Sequence, residues 1–392
     1  MRIRLSILSL CLVGNTLFAQ DSLLSKSDII SLDFKILAIK KQKLASKDPA
    51  LTPAYNQLLS DADKLLSYQP VSVMDKNGTP PSGDKHDYMS IAPYFWPDPS
   101  KPDGLPYVNK DGQVNPEVRQ YQDKQNLPKL CENVYLLSLA YYFSDDEKYA
   151  RHASVLLRVW FLDPATKMNP NLNYGQAVKG VTPGRAAGLI DSRFLIWAID
   201  AIDLLRQSPS WTAQNQKEIK NWFAAFLGWL QTNKIGIDEL NAKNNHGVWY
   251  DAQCLSMALF LDSSALADKI VRRAADRLDK QMDSTGLFPQ ELTRTTSLHY
   301  SVFILNAFYV VAQLSGQTHT DLWPSLQKAT TAILPYLTKQ KDWTGPQIHP
   351  FNFADAVPLL LRAQTHYGCS SCPAAIQAIT GSQSDHLLFN LL

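Results

Sequence analysis

The chain has 392 residues, of which 38 are basic and 36 acidic, and 45% are hydrophobic. That length can bury a large core. A formal charge of only +2 excludes a general attraction to nucleic acid or to an anionic membrane surface, so an anionic ligand has to be met by a local basic site.

Residues 1–20 begin with Arg2 and Arg4, continue in an apolar run over 5–13, and end in Phe18-Ala19-Gln20. This is the pattern of a secretory signal peptide cut near Ala19 or Gln20. It predicts a periplasmic or secreted protein with one mature domain over 21–392. The two leader arginines account for the whole basic excess. Cys11 lies in the leader without a good lipoprotein junction. No later stretch is expected to span a membrane, which takes about 18 apolar residues. Cys369-Ser-Ser-Cys372 is spaced for a local disulfide, which export permits. Cys131 and Cys254 sit in helical apolar patterns and are expected as buried thiols.

In chain order, a charged helix containing Lys41 and Lys43 is followed by a helix over 53–66, with Leu58, Leu59, Ala62 and Leu65 at helical spacing. Residues 70–124 differ. They combine Pro80-Pro81-Ser82-Gly83, His86-Asp87-Tyr88 and Pro93-Tyr94-Phe95-Trp96-Pro97. Such a stretch is too long for an idle connector and too aromatic for a linker, so it reads as a wall or lid over a cleft. Helical patterns then cover 130–142, 146–161, 184–205, 212–232, 254–261, 265–282, 296–314, 323–337, 355–365 and 373–379. The fold class is therefore all-α, with successive helices paired antiparallel and long loops lining a cleft. No sharp internal repeat is visible.

Two segments concentrate chemistry. The first reads Lys243-Asn244-Asn245-His246-Gly247-Val248-Trp249-Tyr250, directly before an apolar helix. A helix start exposes unpaired N–H groups and a positive dipole end. Asn244 and Asn245 add donors there, and His246 adds a donor or a charge. The segment suits a carboxylate, although capping and a structural histidine explain it equally well. The second runs over 286–300 and holds Glu291, Arg294, His299 and Tyr300. Tyr300 alone reads as a core residue with a paired hydroxyl, and Glu291 with Arg294 as a local ion pair.

Together the groups suit β-elimination on a sugar acid. The C5 proton becomes removable once the carboxylate is neutralised. Asn245 and His246, helped by Asn244 or Arg294, supply that neutralisation. Tyr300 is the candidate base and acid. Its reference pKa near 10 calls for cationic neighbours that lower it.

Asn244-Asn245-His246-Gly247-Val248-Trp249, then Arg294, then Leu298-His299-Tyr300, with the loop Tyr94-Phe95-Trp96-Pro97, resemble the alginate lyase superfamily of helical polyuronate lyases, mannuronate- or glucuronan-specific, over roughly residues 50–365. The resemblance implies an incomplete (α/α) toroid and a metal-independent elimination that needs no cofactor and leaves a 4,5-unsaturated sugar. It implies that Asn245 and His246 neutralise the carboxylate, that Tyr300 is acid and base, and that an arginine assists. In the best-known alginate lyases the catalytic arginine stands seven residues before the tyrosine. Here Thr293 holds that place, so the function passes to Arg294 or to Arg185. That departure favours a sister group acting on glucuronan as well as, or instead of, alginate. The expected partner is an anionic polyuronate, without nucleic acid and with the oligomeric state open. Asn244, Arg185, His299 and Glu291 are expected to bind substrate, and Tyr88, Tyr94, Trp96 and Trp249 to stack on sugar rings.

Three alternatives stand beside this reading. A glycoside hydrolase would use Glu291 as acid and Asp191 or Asp251 as base. A metal hydrolase would gather His86, Asp87, His246, Asp251 and His349, which lack close ligand spacing. A non-catalytic glycan-binding protein would keep affinity and lose turnover.

Overall fold

The computed structural model describes residues 34–316, 320–380 and 391. The leader and the export expectation drawn from it lie outside the described residues.

Helices α1 (Phe34–Ala45), α2 (Thr52–Leu65), α3 (Gln122–Ser144) and α4 (Glu147–Phe161) open the fold. Next come α5 (Leu195–Leu205), α6 (Ala213–Thr232), α7 (Lys234–Leu240), α8 (Asn245–Phe260) and α9 (Ser264–Gln281). The single turn α10 (Pro289–Leu292) leads to α11 (Ser297–Ser315), α12 (Trp323–Leu337), α13 (Val357–Tyr367) and α14 (Cys372–Thr380). Their limits follow from local chemistry. Thr212 caps α6 by accepting from the Asn215 N–H, and Asp146 caps α4 by accepting from Lys148. Asp145, in the left-handed region, ends α3.

The sequence also sorts the helices into two layers. Helix α4 buries Ala150, Ala153, Leu156, Leu157 and Trp160 on one face, and α9 likewise buries a single stripe. Such amphipathic helices belong on the outside. In α5, α8 and α11 nearly every residue is buried. These inner helices follow one another: α3 packs on α5, α5 on α8, α8 on α11 and α11 on α13. Outer helices pair with them, α4 on α3 and α9 on α8. The result is the mostly helical fold of paired helices that the patterning predicts, consistent with the toroid that the resemblance implies. Helix α11 is long and apolar enough to cross a membrane by composition alone, contrary to the expectation that no such stretch exists. Its residues are instead buried against α8, α9, α12 and α13.

Two elements depart from expectation. The single helix expected over 184–205 is split, with a 3-10 turn Ala186–Ser192 preceding α5. Gly188 lies against the Gly175 backbone, where any Cβ would collide with the Gly175 carbonyl. That close approach fixes the turn. The aromatic loop, in turn, contains real strands. Strand β1 (Met89–Ile91) pairs in parallel with β4 (Tyr174–Ala177), and β2 (Phe95–Trp96) pairs antiparallel with β3 (Val108–Asn109). The wall is thus braced to the toroid at 174–177. Cys369 and Cys372 form the expected disulfide, and Cys131 and Cys254 are buried free thiols.

Candidate active site

Helix α8 begins where the polar motif predicts. Asn244 is its N-cap, its side-chain oxygen accepting from the His246 N–H at 3.2 Å. That task explains Asn244 as a cap through its Oδ1. Asn245 follows, buried. Its backbone N–H donates to Glu291 Oε1 at 2.7 Å and its Nδ2 to Glu291 Oε2 at 2.9 Å. Glu291 is 0% exposed, so it holds Asn245 and does not meet a substrate. Burial pushes the Glu291 carboxyl up, while the Asn245 bonds and the nearby Arg294 and His246 pull it down. Asn245 is 1% exposed, and the atom of it left without a partner is the Oδ1.

His246 Nδ1 lies 2.6 Å from Glu239 Oε1, on α7. A carboxylate only accepts, so Nδ1 carries the proton there and Nε2 is left for another partner. Glu239 is buried and absent from the sequence reading. Neither its spacing nor its neighbours single it out, because the short helix α7 that delivers it has no strong pattern.

The second half of the site starts at α11. Tyr300 sits in its first turn and is 7% exposed. Its hydroxyl is 3.0 Å from the Tyr94 hydroxyl, which the loop brings from 206 residues away. The Arg294 Cζ lies 3.6 Å from the centre of the Tyr300 ring. Arg294 is itself held by Asp111, with Nε to Oδ2 at 3.1 Å and Nη2 to Oδ1 at 2.5 Å. The Thr295 N–H and hydroxyl also bond Asp111, each at 3.1 Å. Arg294 is therefore the arginine that reaches the tyrosine, and Thr293 turns back to the Gln290 carbonyl. Burial, then Tyr94, push the Tyr300 phenol well above its ordinary value, with Arg294 pulling the other way. The expected net lowering by cations is not what the free protein shows: burial outweighs the guanidinium.

Arg185 is a second cation near this wall. Its Nη2 donates to Gln176 Oε1 at 3.0 Å, and its guanidinium stands 5.0 Å from the Phe95 ring centre. Burial lowers its pKa, while Asp191 and Glu239 raise it. Trp96 keeps a partly open face, with its Nε1 on the Gln113 carbonyl and Lys110 over its ring. His299 stacks on Phe303 with its Nδ1 3.7 Å from Asp355. Tyr88 and Trp249 correct the stacking expectation. Tyr88 is 0% exposed and donates to Asp191 at 3.1 Å. Trp249 is 1% exposed and packs on Phe303. Neither ring can meet a sugar.

The paired-carboxylate alternative fails on the same grounds. Asp191 is bound by Lys124, Gln176, Ser90 and Tyr88. Asp251 is clamped by Arg273 and Arg277, and Glu291 by Asn245. All three are buried and committed. Among the described residues, no three His, Cys, Asp or Glu side chains gather as a metal site. His86 Nδ1 and His349 Nε2 each bond a carbonyl, those of Lys167 and Gly112.

The profile of the alginate lyase family matches residues 72–343. The chain belongs to the alginate lyase family. A solved alginate lyase from Bacteroides ovatus is 39% identical, with a TM-score of 0.86 over 91% of this chain and 97% of that one. An alginate lyase from Sphingomonas species A1 is 16% identical, with a TM-score of 0.46 over 91% of this chain and 92% of that one. No curated protein sequence gives a match. As an alginate lyase family member the protein is a polysaccharide lyase, acting by β-elimination on a polyuronate.

Proposed function

We propose that the protein cleaves β-(1,4)-linked D-mannuronate chains of alginate by syn elimination, without a metal. What supports this is two groups, Tyr300, bonded to Tyr94 and faced by Arg294, and the Asn245–His246 pair held by two buried glutamates, of which Glu291 feels Arg294 and His246 alike. Asn245 and His246 meet the C5 carboxylate. The Tyr300 oxygen takes the C5 proton as phenolate, and the electron pair spreads into the carboxylate as an enolate. The C4–O4 bond then breaks, the phenol proton passes to O4, and a C4=C5 double bond remains. In mannuronate the C5 proton and O4 lie on one side, so one tyrosine serves both transfers. Glucuronate has the same arrangement, whereas guluronate needs groups on opposite faces. The 39%-identical B. ovatus protein is described as an alginate lyase, which supports alginate over glucuronan, and Arg294 reaches Tyr300 despite its shifted position. The leader pattern of residues 1–20 supports action outside the cytoplasm.

The test is absorbance near 235 nm on polymannuronate, polyguluronate, glucuronan and hyaluronan. Polymannuronate should give the fastest rise. Faster turnover of glucuronan overturns the substrate assignment, and silence on all four overturns the reaction. Tyr300→Phe should abolish the rise while leaving oligomannuronate binding within about threefold, because a hydroxyl that acts in the transition state contributes little to ground-state affinity. His246→Ala should lose activity as well.

A further inference from the structure

Helix α11 carries Tyr300, yet it has no cap of its own: Thr296 at its N-cap makes no side-chain capping bond. The first N–H groups of a helix need partners, and here they come from about fifty residues downstream. The Ser297 N–H donates to the Pro346 carbonyl at 2.9 Å. The Leu298 N–H donates to Gln347 Oε1 at 3.1 Å. The Ser297 hydroxyl donates to the same Pro346 carbonyl at 2.7 Å and accepts from Trp343 Nε1 at 2.8 Å. Thr296 and Gln347 form an isolated antiparallel bridge, and the Ile348 N–H donates to the Thr295 carbonyl at 2.9 Å.

The same strap reaches the aromatic wall. Gln347 Nε2 donates to the His349 carbonyl at 2.8 Å, and His349 Nε2 donates to the Gly112 carbonyl at 3.2 Å. Gly112, at φ +74°, fits between Thr295 and Ile348, where any Cβ would strike the Thr295 hydroxyl. Its neighbour Asp111 holds Arg294. One amide side chain thus lies between the turn that holds Arg294 and the helix start that holds Tyr300. The family profile ends at residue 343, so residues 345–349 lie beyond it.

We propose that Gln347 is a positioning residue for the lyase reaction: by capping α11 at Leu298, beside the Ser297 that Pro346 and Trp343 hold, it sets the Tyr300 hydroxyl against the Tyr94 hydroxyl and the sugar. This rests on the functional reading above. Gln347 touches no reacting atom. Its effect falls on the rate, because a displacement of a reacting group by a fraction of an ångström to one ångström slows chemistry far more than it weakens binding.

The experiment compares Gln347→Ala, Gln347→Glu and Trp343→Phe with the wild type. It uses kcat and KM on polymannuronate, together with amide hydrogen exchange at 297–300. Glutamate keeps the acceptor that Leu298 uses, loses the donor to His349 and adds a negative charge at a helix start, which favours one. Phenylalanine keeps an aromatic ring beside Tyr336 but loses the N–H to Ser297 together with part of the indole. The alanine variant should lose about tenfold or more in kcat, with KM within about twofold, and lose exchange protection at Leu298. The glutamate variant should recover most of both, and the phenylalanine variant should fall between. An alanine variant that keeps wild-type kcat overturns the proposal, whatever its exchange. So does a loss spread equally over kcat, KM and melting temperature without recovery by glutamate, which marks a merely structural role. A wild type inactive on every polyuronate overturns the functional reading and the positioning role with it, a result distinct from an active wild type matched by the alanine variant.

Discussion

The most exposed consequence at the scale of single residues concerns Arg294 and Tyr300. Burial and Tyr94 hold the Tyr300 phenol protonated well past its ordinary range, and Arg294 opposes them. The elimination begins from the phenolate, so activity should climb toward alkaline pH. Removing the guanidinium removes the cation that favours the phenolate, which moves the basic limb of kcat/KM further up. Arg294→Ala should therefore lose on the order of 100-fold in kcat/KM near pH 7.5, and the deficit should narrow as pH rises. A pH profile parallel to that of the wild type would show that Arg294 does not act on the phenol. Asn245, His246, Arg294 and Tyr300 were all legible in the sequence, because two short segments concentrate rare groups next to apolar helices. Their holders were not. Asp111, Glu239 and Gln347 are ordinary polar residues in ordinary surroundings, and only the fold brings each to its partner. Glu291 reads from the sequence as a substrate contact, whereas the fold buries it against Asn245. A carboxylate beside a cleft motif looks like a ligand contact until its burial and its two Asn245 bonds are known.

The elements show which patterns carry structure. Helix faces are readable because burial repeats every three to four residues, and the polar run at 244–246 marks the start of α8. The turn at 186–192 escaped because nothing local reveals that Gly188 must touch Gly175. The aromatic wall was recognised as a cleft element, but its strands are too short to show alternation. The wall's attachment gives a prediction. Asp111 ties it to Arg294 and Thr295. Burial raises the Asp111 carboxyl, but the Arg294 and Thr295 bonds win and hold it below the usual carboxylate range. A carboxyl lowered in the folded state stabilises above its unfolded pKa, near 4, and the benefit is lost as pH falls through the folded value. Asp111→Asn should therefore cost about 2 kcal/mol at pH 7, the scale of a charge-assisted bond. The melting-temperature gap to the wild type should close as pH falls below about 3. The variant should also raise KM, since the wall carrying Tyr94 and Trp96 loses a tether. An unchanged gap across that range would mean that the ion pair does not anchor the wall.

For the whole molecule, stability and chemistry separate. The buried hydrophobics from α1 through α14 form one continuous cluster, and the inner helices belong to it on all sides. The candidate site is carried where inner helices α8 and α11 begin, so its residues inherit rigidity from the core. The disulfide contributes elsewhere. Cys369 and Cys372 are separated by three positions and join the end of α13 to the start of α14. In the loop-entropy view, a cross-link stabilises by restricting the unfolded chain, and the effect grows with the loop it closes. For so short a loop that term is about 2 kcal/mol, small beside the unfolding entropy of a chain this long. The free thiols of Cys131 and Cys254 are buried, and burial pushes both up, Cys254 to about 12. They are poor partners for exchange while the fold is intact. Reduction should therefore lower the melting temperature by only a few degrees, without scrambling, and leave kcat and KM on polymannuronate unchanged. The double variant Cys369→Ser, Cys372→Ser should behave the same way. A large loss of activity on reduction, with the helical signal intact, would mean that the α13–α14 corner is coupled along α13 to Asp355 at its other end, which lies 3.7 Å from His299 beside Tyr300.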